Sequence, residues 1–217
     1  MTNIEIHIAG DQWLLDSIEK DFLPNIQLSQ DRNRITIAIS SEISDEAATA
    51  IAEVLISRIN GAIRIREQNL DAPKISISGA LTIIREKSVG QLITGRSLIR
   101  KPLTDKAFQI DTLLSTAENS TMLRDLLTVL SSDNSFWIKA MNVVDTINHY
   151  KAELIPMMER DVSFKELHRR FIGTASNFNT LLADSRHGQM GDKKHSDPVT
   201  LSEAKIHINL ILQTAIG

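Results

Sequence analysis

Residues 44–65, SDEAATAIAEVLISRINGAIRI, decide how the first part of the chain is divided. Ser44 or Asp45 can cap a helix, and Glu46 adds negative charge to its first turn. Ile51, Val54, Leu55 and Ile59 then recur at the spacing of a single apolar stripe. Gly61 stands where a left-handed helix stop is cheapest, and Ile63 and Ile65 alternate as strand residues do. The pattern predicts a helix ending near Gly61 and a strand directly after it.

Working outward, Ile4, Ile6 and Ile8 share one face of a strand, and Ile35, Ile37 and Ile39 do the same in another. Between them Leu14, Ile18 and Phe22 form a helical stripe that stops at Pro24, and Ile26 to Leu28 make a brief strand leading into the next. The order over residues 3–67 is therefore β-α-β-β-α-β, that of the split βαβ or ferredoxin-like arrangement, in an α+β chain.

Residues 71–110 alternate in KISISGALTII and then mix glycine, proline and charge, which reads as a hairpin and connector. From residue 111 the period becomes helical. Leu123, Leu126, Leu127 and Leu130 share a face, as do Trp137, Met141, Val144 and Ile147. A third helix begins at Ser163 with Glu166 in capping-box spacing and carries Phe164, Leu167, Phe171, Ala175 and Phe178 inward. The last has the same device in Thr200 and Glu203, behind Pro198, with Ala204, Ile208 and Ile211 on its inner face. The expected organisation is a ferredoxin-like domain over 1–70, a connector over 71–110 and an α-helical bundle over 111–217. Charge follows the same division: residues 1–70 hold 6 Lys+Arg against 11 Asp+Glu, the remainder 18 against 16.

The chain has 217 residues, 42% hydrophobic and 24% charged, which is ordinary for a globular protein. A net charge of −3 supplies no global field for nucleic acid, so such binding must rest on a local patch. The absence of cysteine excludes disulfides, thiolate metal sites and a cysteine nucleophile. The start MTNIEIHIAG resembles no secretory leader, and no apolar run is long enough to span a bilayer, so a cytoplasmic location without membrane attachment is expected.

Three motifs compete for attention. Gly90 to Ser97 has P-loop spacing, but Arg96 occupies the lysine position and Pro102 would interrupt the helix that a phosphate loop needs. Arg85, Lys87, Arg96, Arg100, Lys101 and Lys106 form the one concentration of positive charge, able to neutralise phosphates along RNA or to receive acidic groups of the same chain. Phe108 is the lone aromatic near it, which leaves base stacking poorly provided for. The third is Arg186-His187, before a polar stretch of glycine and charge. There an arginine can hold a phosphodiester while a histidine moves a proton near neutral pH. The competing readings are an arginine paired with Asp184 or Glu203, or metal binding by His187, Asp192, His195 and Asp197, whose spacing matches no zinc motif. Asn119-Ser-Thr121 is a glycosylation sequon without a secretory leader to give it meaning.

The second half resembles a group of uncharacterised bacterial proteins. Trp137 and Asp145-Thr-Ile147 lie on one helix, Phe171-Ile-Gly-Thr-Ala-Ser-Asn177 on the next, followed by Ser185-Arg186-His187-Gly188 and Val199-Thr-Leu-Ser-Glu-Ala204. In that group a tryptophan-bearing helix, an F-x-x-T-A-N helix, an A-R-H step and an M-T-L-x-E-A helix recur in this order. The layout over residues 136–216 is also similar to HEPN domains, many of which are metal-independent ribonucleases of bacterial defence systems. HEPN sites separate arginine and histidine by several positions, whereas Arg186 and His187 are adjacent. The resemblance implies a HEPN-like protein of defence or stress response acting on RNA. Arg186 and His187 would be catalytic, and Arg85, Lys87, Arg96, Arg100 and Lys101 would contact nucleic acid, with no cofactor. The alternative is a non-catalytic interaction or assembly module. Expected partners are RNA, a protein encoded nearby or a second copy, and no membrane.

Overall fold

The computed structural model describes residues 2–18, 26–29, 33–85, 109–187 and 198–217. Its sheet is antiparallel. β1 (Thr2–Ala9) lies beside β3 (Arg34–Ile39), with Ile4 opposite Ile37 and Ile6 opposite Ile35, and β3 carries β2 (Ile26–Leu28) on its far side. The alternation written in the sequence is the alternation of burial: Ile4, Ile6, Ile8, Ile35 and Ile37 all face the core. Between β1 and β2, α1 (Gln12–Ser17) buries Leu14, and Ile18 is buried just beyond it; Phe22 lies outside the described residues.

The helix α2 (Asp45–Arg66) differs from its sequence reading. Ser44 caps it, its side chain accepting the Ala47 N–H at 3.2 Å, but the helix runs through Gly61 and takes in Ile63 and Ile65. The cause is packing. Residues 59–65 are all buried, so the helix is covered on every side there and the apolar stripe that marks a one-sided helix disappears. The left-handed stop comes instead at Gln68, with φ of 49°. The Asn69 N–H reaches back to the Arg64 carbonyl at 3.1 Å and the Gln68 N–H to that of Ile65 at 3.0 Å, a Schellman closure. Asn209 donates to the Gln68 carbonyl at 2.8 Å and so holds the turn from outside.

The sheet's second outer strand is therefore supplied from farther along, within the stretch read as connector. β4 (Ser76–Ile77) pairs with the end of β1 and β5 (Thr82–Arg85) with its start. Ile77 faces Ile8 and Thr82 faces Glu5, so four residues oppose two, and Gly79 takes a φ of 83° in the resulting bulge. KISISGALTII is thus one bulged strand rather than a hairpin. The strand order is β2-β3-β1-β4, with β5 also on β1.

The helices follow: α3 (Ile110–Asn119), α4 (Thr121–Ser131), α5 (Phe136–Tyr150), the short α6 (Leu154–Met158), α7 (Val162–His187) and α8 (Leu201–Ile216). Ser120, part of the idle sequon, caps α4 by accepting the Leu123 N–H. Leu123, Leu126, Leu127 and Leu130 are buried as their spacing required. The start of α7 moves by two residues: Asp161 accepts the Phe164 N–H at 2.9 Å and is the cap, while Glu166 pairs with Arg169 at 2.7 Å. A carboxylate preceding the helix outcompetes the Ser163 hydroxyl for the open N–H groups. The box at α8 forms as read, Thr200 accepting the Glu203 N–H at 3.2 Å while Glu203 accepts that of Thr200 at 2.8 Å.

Buried polar groups of α2 fasten the segment after it. Asn60 makes two hydrogen bonds to the backbone of Ile75, at 2.9 and 2.8 Å. Arg64 donates to the carbonyls of Leu130, Ser132 and Ala72, and from α5 the buried Lys139 donates to the Leu70 carbonyl at 2.6 Å and to Asp71 at 3.1 Å. Burial lowers the pKa of both cations. One core cluster runs from the sheet into the helices, with α2 common to both.

Candidate functional site

The site begins with how α5, α7 and α8 are held. Trp137 on α5 lies 6.2 Å, ring centre to ring centre, from Phe171 on α7, and Phe136 meets Trp137 edge-on at 5.3 Å. Three residues past Phe171, the Thr174 hydroxyl accepts the Val199 N–H at 3.0 Å. Arg170 reaches the Pro198 carbonyl at 3.5 Å and Glu203 at 3.6 Å. Glu203 is thereby committed to Arg170 and to Thr200, whose backbone N–H and hydroxyl hold its carboxyl below the usual range.

The segment leading into α8 is thus fastened to α7 at residues 170–174, whereas α7 continues to His187. The residues beyond 174 extend it by roughly 20 Å at ~1.5 Å per residue. Arg186 and His187 occupy its last turn, and their side chains lie outside what is described. Asp192, His195 and Asp197 lie outside the described residues as well, as do Lys87, Arg96, Arg100, Lys101, Lys106, Phe108 and the segment from Gly90 to Ser97. Of the basic patch, Arg85 is described: it ends β5 and donates to Asp45 and, at 3.3 Å, to the Ile43 carbonyl. Its charge answers an acidic group of the same chain at the start of α2.

Sequence reading missed a histidine pair. His168 on α7 and His207 on α8 meet through Nδ1 and Nε2 at 2.8 Å, enclosed by Phe164 and Phe171. His207 is fully buried, and its Nδ1 has no partner among the described residues. A buried N–H is rarely left unpaired, which assigns the proton to His207 Nε2, donating to His168. The signal was present in the spacing: Phe164, His168, Phe171 and Ala175 continue one stripe, and His207 falls between Ala204 and Ile211. Burial pushes both imidazoles down, His207 to about 4.

Both rings are therefore neutral in the folded protein, whereas in the unfolded chain they take up protons near pH 6.5. Below that pH the unfolded state binds more protons, so stability is complete above about pH 7 and falls as the pH drops from 6.5 toward 4. The slope reaches at most about 1.4 kcal/mol per pH unit for each ring. Urea midpoints between pH 7.5 and 5 check this, with His207→Gln as the variant that keeps a partner for His168 but does not titrate. An unchanged pH dependence in that variant would remove His207 from the account.

Among the described residues no three His, Asp or Glu side chains converge as a metal site requires, and no helix is long and apolar enough to cross a membrane. Comparison with models of known families, with curated proteins and with solved structures finds no match to this chain.

Proposed function

We propose that this chain joins a ferredoxin-like sheet unit to a HEPN-like helical unit that acts on RNA, in bacterial defence or stress response, at the end of α7 bearing Arg186 and His187. The order β2-β3-β1-β4, antiparallel throughout with α1 and α2 as the two crossovers, supports the ferredoxin-like reading of the sheet. One observation carries the functional reading. The other landmarks of the helical half are struts: Trp137 packs on Phe171, Thr174 holds Val199, and Thr200 with Glu203 starts α8. Together they hold the first part of α7 in place, and the Arg-His step stands at the C-terminal end of the same helix. The histidine pair, His168 with His207, is sealed in the core and closed to a polynucleotide.

In this reading Arg186 binds the phosphodiester by charge-assisted hydrogen bonds and His187 transfers the proton, without a metal. Cleavage of a panel of RNAs by the full chain is expected to persist in a chelator. His187→Ala is expected to lower the rate by about a hundredfold or more, the scale of a lost general acid or base. Undiminished cleavage by a protein lacking both side chains would remove the assignment. A second reading, as a non-catalytic assembly module, draws support from Met157, Val162, Ile206 and Leu210 of α6, α7 and α8. These are 50%, 81%, 65% and 46% exposed, apolar surface that an interface would cover. Self-association in sedimentation together with absence of cleavage would favour it.

A further inference from the structure

The helix α8 buries Ala204, His207, Ile208, Ile211, Leu212 and Ala215, yet its outward side is apolar as well, with Ile206 and Leu210 one turn apart in solvent. From Ile206 to Ile216 it holds no Asp, Glu, Lys or Arg, and its other exposed positions there are Gln213 and Thr214. A helix face turned to water normally carries charge, and a face depleted of charge is what the centre of a protein interface looks like. Beside it runs a groove of about 420 Å³, lined by Met158, Phe164, Leu167 and Leu210 with Asp161 and Ser163 at the start of α7. Val162 stands between Asp161 and Ser163 and is exposed, and Ile206 stands one turn before Leu210. Apolar projections and an apolar recess thus lie side by side.

We propose that this face pairs with the same face of a second copy about a twofold axis, Val162 and Ile206 of each copy entering the groove of the other. A twofold contact requires one surface to carry both halves of its own complement. Projection and recess satisfy this for shape. For charge, the exposed Arg160 and Asp161 adjoin at the rim and Lys165 follows one turn on, so both signs are present and two copies can pair them crosswise. A foreign surface of one sign would be repelled by part of that rim. The area agrees: Met157, Val162, Ile206 and Leu210 leave on the order of 400 Å² of apolar surface in solvent, close to the ~57% non-polar share of the ~800 Å² that each partner gives to an interface of ordinary size. The pairing rests on the apolar surface behind the assembly reading and adds the partner and the symmetry. It does not rest on the absence of catalysis, because α7 runs roughly 37 Å from Val162 to His187 and the Arg-His step lies at the other end of that helix.

Sedimentation velocity of the full chain from about 1 to 100 μM tests this. A concentration-dependent passage from monomer to dimer is expected, with no larger species, because a closed twofold contact uses up the face. Val162→Glu and Ile206→Glu each place a carboxylate in solvent in the single chain but in an apolar groove in the pair. With circular dichroism unchanged, each should raise the dimer dissociation constant about a hundredfold or more. Val54→Glu makes an equal change at an exposed position of α2, outside this face, and should leave the dimer intact. A monomer at every concentration, growth beyond the dimer, dimers persisting in both folded variants, or an equal loss in Val54→Glu would overturn the pairing. RNA cleavage is read in none of these measurements, so the pairing and the catalytic reading fail separately.

Discussion

Replacing Phe171 by alanine is expected to destabilise the protein by about 3–5 kcal/mol, the range for removing a buried aromatic ring from a core that cannot close over the gap. Phe171 is fully buried on α7, and its ring is met by Trp137 from α5, His207 from α8 and His168 from its own helix. Those neighbours come from three elements, each fixed elsewhere. α7 is tied to the start of α8 through Thr174 and Arg170, and Lys139 on α5 is tied to Leu70 and Asp71. Such a site relaxes little, and the void would lie against two imidazoles. Water entering it would ease the burial that keeps them neutral, so the variant should also lose part of the acid sensitivity assigned to His207. Chemical denaturation at pH 7.5 and pH 5.5 reads both effects. A loss below about 1 kcal/mol would place the inner face of α7 elsewhere.

The parts of this fold that sequence made legible are those where one face is buried and the other wet. β1 and β3 announced themselves because Ile4, Ile6, Ile35 and Ile37 alternate with exposed or half-exposed residues. The leucines of α4 and the inner residues of α8 did so through a helical stripe. Legibility failed where burial became total. In residues 59–65 every side chain is inside, so INGAIRI gives no period, and a glycine and two spaced isoleucines imitate a stop followed by a strand. It failed again where two polar residues compete for one task, as Asp161 and Ser163 do at the start of α7. The Arg-His step was visible as a pair of side chains with complementary chemistry. His168 and His207 were not, because they come from different helices and each alone reads as a polar residue on an apolar stripe.

Gly61 carries the other large expectation. A Cβ added there would lie 2.2 Å from the Leu127 carbonyl oxygen and 2.6 Å from its Cα. Both are backbone atoms of α4, so no side-chain rotation relieves the contact and the two helices must move apart. The ties around the crossing oppose that movement: Ser57 and Ser131 share a hydrogen bond at 2.6 Å, and Arg64 donates to the Leu130 and Ser132 carbonyls. Two effects therefore compete in Gly61→Ala. At an exposed helix interior the change stabilises by about 1 kcal/mol, because alanine restricts the unfolded chain and glycine does not. Here overpacking against a backbone outweighs it, and the net expectation is a loss of about 3 kcal/mol, at the upper end of what small-to-large core changes cost. Gly61→Val adds a branch to the same clash and should prevent stable folding altogether. Urea denaturation of the alanine variant decides the sign. A gain in stability would mean that Gly61 lies in an open helix interior without a close neighbour, and a loss as large as about 3 kcal/mol means that the glycine is there for the close passage of α4 across α2.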